Sequence, residues 1–365
     1  MLTNQELERY ARQIALSEIG AAGQQRLKQA SVLVIGVGGL GCQVLQQLTA
    51  AGVGRIGMID GDRVELSNLQ RQCLFGEGDV GRKKTEVAQE RLKAQNSQVQ
   101  LEIHEGSFHP KNAETLVAKY DLVVDASDRI DVRYLINDAC VCLEKAFVYA
   151  SLYAYEAQVA LFNAPDDLGN RSATYRCLFP EESGSKVQNC QERGVLAVLP
   201  ALIGAIQANE VLNYFLGLSE GLSGRLLLFN QLNYHFQLIE VNRHEKAKEW
   251  AKQGMRIRQQ VIELSPEELR EKLAREFPCL LVDVRDPDES PELTSFAGNE
   301  VLSKAVFEKG TAFTSESPVF ICQTGVRSQK EALSWSSRNN KTCYSLRGGV
   351  LKLKEDERQK SQIHI

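Results

Sequence analysis

The chain lacks any uninterrupted apolar run near the ~20 residues needed to cross a bilayer. Its first residues, Met1 to Glu6, lack the cationic start and apolar core of a signal peptide. The expectation is therefore no membrane association and a cytoplasmic location. An excess of one charge is also missing: 43 Lys and Arg stand against 47 Asp and Glu, for a net charge of −4. That balance argues against a nucleic-acid binder, which would show a basic face, but it leaves room for a small protein partner. The nine cysteines are odd in number and scattered, with no disulfide framework in their spacing. They read as thiols in a reducing compartment, some reactive and most packed. What remains is ordinary globular composition, 43% hydrophobic and 25% charged over 365 residues, long enough for two domains.

The most informative stretch runs from Val32 to Arg71. An apolar run, Val32-Leu-Val-Ile35, feeds a turn containing Gly36, Gly38, Gly39 and Gly41, which opens a helix. A second apolar run ends at Asp60-Gly-Asp62, about 20 residues on, the layout of a nucleotide-binding βαβ unit. Glycines let the backbone approach phosphates closely, and the helix N-terminus offers N–H groups to them. Asp60 falls where such folds hold a ribose hydroxyl. The glycines alone also fit a dehydrogenase. The residues that follow favour a triphosphate: Ser67, Asn68, Leu69, Gln70, Arg71 and Gln72, then Lys84. Lys and Arg offset phosphate charge, and Arg grips two oxygens at once. Tyr120 to Asp128 reads as a buried strand with acids at its carboxyl end, the ligand edge of an open α/β sheet. Asp128 suits Mg2+, which prefers hard oxygen ligands; the bland alternative is a helix N-cap, and both can hold together.

Strands are expected at 31–35, 55–60, 99–104, 121–125 and 147–151, alternating with helices near 40–51, 82–95, 112–119 and 130–143, so a mostly parallel sheet follows. Residues 4–29 read as helical and 195–216 as a helix apolar nearly all round, hence buried. Cys42, Cys73, Cys140 and Cys142 read as core. Between Asn163 and Arg193 lies a long polar loop, of the kind usually functional; it carries Cys177 and Cys190. Residues 242–260 are charged and read as a linker, partly helical.

In residues 261–365 a strand, Val319 to Ile321, runs into Cys322-Gln-Thr-Gly-Val-Arg327 and then a helix. Six residues from cysteine to arginine make a cradle of backbone N–H groups around a thiolate. The helix dipole and Arg327 both favour the charged sulfur.

These motifs resemble the MoeB/ThiF family, bacterial relatives of the ubiquitin-activating E1 enzymes. The matching stretches are Glu8 to Gln13, the Gly36–Gly41 loop, Ala51-Gly-Val-Gly54, Asp60-Gly-Asp62, Ser67 to Gln72, Lys84, Asp125-Ala-Ser-Asp128 and Gly194 to Pro200. The C-terminal part resembles a rhodanese sulfurtransferase through Leu281 to Asp286, Cys322 to Ser328 and Leu346-Arg-Gly-Gly349. A protein phosphatase loop would be one residue longer. The resemblance implies an α/β protein: a Rossmann-like E1/ThiF adenylation fold at 1–241, a linker at 242–260, and a small α/β rhodanese-like domain at 261–365. It implies ATP and Mg2+, with Arg71, Lys84 and Asp128 at the phosphates and metal. Arg12 would act in the partner subunit's site of a homodimer. Cys190 and Cys322 would handle sulfur. The implied reaction is adenylation of the Gly-Gly carboxylate of a small ubiquitin-like sulfur carrier, of the molybdopterin-synthase type before the thiamine type, followed by transfer from a persulfide donor to give a thiocarboxylate.

Three departures stand out. Many members hold zinc with two Cys-x-x-Cys pairs; here Thr174 replaces the first cysteine before Cys177, and no pair follows Val241, so no zinc site is expected. Arg129 replaces the usual Asn after Asp128, and Arg cannot accept a hydrogen bond. The rhodanese stretch Gly-His-Ile-Pro-Gly-Ala has no clear counterpart between Asp288 and Val301, which leaves a docking-only domain as an alternative. Two further alternatives are adenylation of a non-protein substrate such as a tRNA base, and a non-catalytic nucleotide-binding scaffold.

Overall fold

The computed structural model describes residues 1–180, 194–218, 221–275, 277–286, 289, 293–309 and 317–353. The chain divides into two compact units, Met1–Gly254 and Met255–Ile365. A continuous helix, Ala247–Gln260, occupies most of the charged stretch read as a linker and runs through the division.

The first unit is built on an eight-stranded sheet. Strands β1 (Ser31–Ile35), β2 (Arg55–Ile59), β3 (Gln100–His104), β4 (Leu122–Asp125) and β5 (Ala146–Tyr153) are parallel, in spatial order β3-β2-β1-β4-β5. An antiparallel meander continues the sheet: β6 (Glu156–Phe162), β7 (Arg225–Asn230) and β8 (His235–Glu240). Strands β1 and β4 are buried at every position, which explains why their sequences read as unbroken apolar runs rather than alternating ones. Chain order reverses between β1 and β4, so the crevice at their carboxyl ends is a topological switch point, where such sheets bind ligands. The register aligns Ile35 with Ile59 on one side and with Asp125 on the other. Gly36, Asp60 and Ala126, one residue further on, therefore come to one edge.

Helix Gly39–Ala51 covers β1 and packs against helix Val198–Leu216. The two approach closely because Gly204 has no side chain; a Cβ there would lie 2.8 Å from both Gln43 Cβ and Leu40 O. Helix Val198–Leu216 is not buried all round, contrary to its apolar composition. Leu199, Ile203, Gln207 and Val211 are buried, while Val198 and Leu202 are exposed in the single chain. The amino-terminal stretch read as helical forms three helices, Asn4–Arg9, Ala11–Ile14 and Gly20–Gln29. Gly20, at φ +54°, starts the third. Cys42 and Cys140 are core residues and Cys142 is half-buried, but Cys73 is exposed rather than packed. Its neighbours Gln72, Leu74 and Phe75 take the inward positions of that turn.

The second unit holds a six-stranded sheet. It contains β9 (Val261–Leu264), β10 (Cys279–Asp283), β11 (Ser295–Phe296), β12 (Asn299–Ser303), β13 (Ser317–Ile321) and β14 (Cys343–Leu346), in order β11-β12-β10-β13-β14-β9. All pairs are parallel except β11 with β12. Two apolar clusters lie in this unit, one including Leu269, Val319 and Leu346 and the other Phe320, Cys322 and Ala332. Cys343 is buried and Cys279 half-buried.

Candidate active site

Two glycines of the first loop are there because nothing else fits. Gly36 takes φ +98°, and a Cβ on it would sit 2.7 Å from Ala126 O. On Gly41 a Cβ would come 2.0 Å from Gly36 O. A Cβ on Gly39 would lie 3.0 Å from the Pro200 ring and 3.4 Å from the Arg71 stem, so a side chain there would crowd both neighbours. Gly38, the helix N-cap at φ −88°, is different: a Cβ there would meet only Gln72 Nε2, at 3.9 Å. The edge is knitted by Gly36 N–H donating to Ile59 O at 2.9 Å and Ala126 N–H donating to Ile35 O at 3.0 Å.

Asp60 is fixed from both sides. Val37 N–H donates to one carboxylate oxygen at 2.7 Å and Asp62 N–H to the other at 2.8 Å. Burial raises the Asp60 carboxyl above its ordinary pKa, opposed by the nearby Lys84. A carboxylate carries about four acceptor positions, so two oxygens already holding N–H groups still have lone pairs for hydroxyls. Lys84, at the first turn of helix Lys84–Gln95, is buried, and its ammonium meets Asp62 Oδ2 at 2.9 Å. Arg71 donates to Ser67 O at 3.1 Å. Ser67 and Gln70 are exposed; Asn68 and Gln72 are buried, and Leu69 packs on the core. Gln72 Oε1 has no hydrogen-bond partner among the described residues.

Asp128 is exposed just past the carboxyl end of β4. Asp125 shapes its turn. That carboxyl group is fully buried, and one oxygen accepts from Ser127 N–H at 3.0 Å and Ser127 Oγ–H at 2.6 Å. Burial pushes Asp125 up to about 6. Gln207, from helix Val198–Leu216, donates to Asp125 O at 2.8 Å. The helix after the turn is capped at Arg129, not at Asp128. Arg129 forms a two-pronged pair with Asp131, at 3.1 and 2.6 Å, which occupies the guanidinium that replaces the family's asparagine. Gln207 was missed in the sequence; its one signal is an amide inside an otherwise apolar helix.

Arg12 is exposed on helix Ala11–Ile14. Its neighbours are anchored: Tyr10 OH accepts from Asn96 Nδ2 at 2.8 Å, and Gln13 donates to Ala51 O at 3.2 Å. Cys190 lies outside the described residues. Burial raises the Cys42 thiol to about 12, as suits a packing residue at a helix start.

No group of three or more His, Cys, Asp or Glu placed to hold a metal occurs among the described residues. One or two carboxylates with substrate phosphates are enough for Mg2+, so Asp128 fits that ion. The zinc position does not fit. Cys177 Sγ lies 3.3 Å from Thr174 Oγ1 and accepts His244 N–H at 3.3 Å, while the His244 ring stacks on Trp250. Nearby, Arg176 grips the buried Asp138 with two bonds of 2.6 and 2.7 Å.

In the second unit, Cys322 follows β13 and is fully buried. Its sulfur accepts Gly325 N–H at 3.1 Å and donates to Ser328 Oγ at 3.5 Å. Gly325, at φ +93°, and Gly349 allow the loop to close on the turn after β14; a Cβ on Gly349 would lie 2.1 Å from Cys322 O. Arg327 pairs with Glu289 and Asp286.

A doubly wound sheet with a glycine loop, a fixed acid and a buried lysine at its switch point has the layout of a nucleotide-binding α/β protein. The chain belongs to the ThiF family, whose model matches residues 10–251. It is 47% identical over 245 residues to a sulfur carrier protein adenylyltransferase of Thermus thermophilus, covering 67% of this chain and 90% of that one. It is 34% identical to a probable adenylyltransferase/sulfurtransferase MoeZ of Mycobacterium tuberculosis, over 96% of this chain and 93% of the relative. Adenylyltransferase and sulfurtransferase MOCS3 of Culex quinquefasciatus is 45% identical, over 66% of this chain and 54% of its own length. Among solved structures, Escherichia coli MccB with ATP superposes with a TM-score of 0.55 at 26% identity, covering 67% of this chain and 73% of that one.

Proposed function

We propose that the first unit adenylates the C-terminal Gly-Gly carboxylate of a small ubiquitin-like sulfur carrier. In this reading the second unit, as a rhodanese-like domain, then delivers sulfur to make the thiocarboxylate. The observation that carries the proposal is the convergence of Gly36, Asp60, Lys84 and Asp128 on one sheet edge in a chain so similar to a named sulfur carrier protein adenylyltransferase. The Gly36–Gly41 loop receives the ATP phosphates. Ser67, Asn68, Leu69, Gln70 and Gln72 line the segment beside it. Asp60 and its neighbour Asp62 hold the ribose end, and Arg71 and Lys84 balance phosphate charge. Arg12 does so from the partner subunit of a homodimer. Asp128 would hold Mg2+, which supplies further charge neutralisation when bound. A carrier carboxylate oxygen attacks the α-phosphorus and pyrophosphate leaves. The chain's work is positioning and charge stabilisation rather than covalent chemistry. Sulfur arrives as a persulfide on Cys322, and Cys190 is the transient acceptor. Cys322 is reached by opening its loop, since its sulfur is enclosed. The molybdopterin-type carrier is favoured and the thiamine type comes next.

The test is ATP–pyrophosphate exchange with each Gly-Gly carrier added in turn, with Asp128→Ala as control. Carrier-dependent exchange lost in the variant supports the reading and names the carrier. ATP binding without exchange for any carrier overturns it in favour of a scaffold or a non-protein substrate.

A further inference from the structure

Helix Val198–Leu216 lays a row of side chains inward: Leu199, Ile203, Gln207 and Val211 recur every fourth residue and all are buried. Gln207 is the polar member of that row and is fully buried. Its Nε2 lies 2.8 Å from Asp125 O and 3.5 Å from Val148 O, at the neighbouring strands β4 and β5. Two carbonyl oxygens on that side settle which end of the amide is the NH2, because only the NH2 can donate. The Oε1 has no hydrogen-bond partner among the described residues. An apolar side chain would avoid that buried, unpaired acceptor, so the amide is kept for what its NH2 holds.

What it holds is the root of the turn that carries Asp128. Asp125 ends β4, and its carbonyl accepts from Gln207, while the N–H of the same peptide unit, on Ala126, donates to Ile35 O at 3.0 Å. A planar peptide gripped at both its oxygen and its nitrogen cannot turn. Ser127 N–H and Oγ–H then donate to Asp125 Oδ1 at 3.0 and 2.6 Å, and Ser127 O accepts from Arg133 Nη2 at 3.3 Å. Ala126 O sits so near Gly36 that a Cβ there would lie 2.7 Å from it. The same helix also bounds the glycine loop. Its Pro200 ring lies 3.0 Å from where a Cβ on Gly39 would stand. Pro200 and Gln207 are about two helical turns apart, so one rigid element spans the distance between the phosphate loop and the Asp128 turn.

Resting on the reading that Asp128 holds Mg2+ at the ATP phosphates, we infer that Gln207 is a positioning residue for adenylation: by clamping the Asp125 carbonyl it fixes where Asp128 stands relative to the glycine loop. The test compares the full-length wild type with Gln207→Met, Gln207→Asn, Asp128→Ala and the Q207M/D128A double variant. Met nearly matches glutamine in shape and cannot donate; Asn keeps the amide but is one methylene short. Urea melts establish that each variant is folded. Calorimetry measures ATP affinity with Mg2+ and with EDTA, and the ratio of the two is the gain from the metal. In Q207M and Q207N that gain should fall about threefold to tenfold, the worth of about one hydrogen bond, with affinity in EDTA within about twofold of wild type. Carrier-dependent ATP–pyrophosphate exchange should fall about 10²-fold, as for a reacting group misplaced by about 1 Å. Because Gln207 acts through Asp128, the double variant should show the same gain as D128A and no further loss. Folded Q207M and Q207N that keep the wild-type gain overturn the inference, and so does a loss that adds to that of D128A. An equal loss of affinity with Mg2+ and with EDTA marks a general packing role and also overturns it. A D128A variant that retains the whole gain from Mg2+ overturns the underlying reading of Asp128 instead.

Discussion

Gly38 and Gly41 look equivalent as letters in a glycine-rich loop, yet they are expected to respond very differently to alanine. In Gly41→Ala the new Cβ starts 2.0 Å from Gly36 O. An ordinary carbon–oxygen contact is about 3.2 Å, so the helix start and the loop must separate by about 1 Å, against backbone with no rotamer to yield. Overpacking of this kind costs about 1–3 kcal/mol of stability. The catalytic loss is larger, because a 1 Å misplacement of a bound reactant lowers rate by about 10²-fold. Gly38→Ala meets only the flexible end of Gln72, at 3.9 Å, with φ already negative at −88°. It should keep stability within about 0.5 kcal/mol, as for a substitution without a structural conflict. Urea melts and carrier-dependent ATP–pyrophosphate exchange on both variants check this. Equal behaviour of the two, in either assay, would refute the steric reasoning.

The Arg176–Asp138 pair is buried on both sides, so Arg176→Ala strands a charge and should cost about 3–5 kcal/mol, read as a lowered urea midpoint. A loss below about 1 kcal/mol would count against it. Asp125 has a folded-state pKa raised to about 6 from 3.8. Its contribution is therefore most favourable below about pH 4 and is lost as pH rises through about 6. Asp125→Asn should flatten the stability profile across that window by up to about 3 kcal/mol; an unchanged profile would show the carboxyl to be better solvated than its burial implies. For zinc, metal analysis should find well under one ion per chain, and EDTA should leave the melting temperature unchanged. A chelator-induced drop would contradict the Thr174–Cys177–His244 arrangement.

Much of the first unit was legible in the letters. Its central strands β1, β2 and β4 are short runs buried at nearly every position, and acids stand where β2 and β4 end. Those are local signals, so β1 falls on the expected residues and most other boundaries within one or two positions. Gly36, Asp60, Lys84 and Asp128 could be singled out because a phosphate-binding edge demands those residue types at those spacings.

Tertiary packing decided what each side chain meets. Apolar composition alone puts helix Val198–Leu216 wholly inside, but the sheet and helix Gly39–Ala51 cover only part of it. Cys73 sits in an apolar neighbourhood of sequence and still faces outward, because a turn has no strand or helix periodicity to assign its faces. Arg129 turns to Asp131, Arg176 reaches Asp138 across 38 residues, and Gln207 reaches the backbone of Asp125 across 82. Arg327 is claimed by Glu289, also 38 residues away. A motif states which cation is available. Which carboxylate has already taken it depends on chain segments that only the folded sheet brings together, since Coulomb and hydrogen-bond partners are set by distance in space and not along the sequence.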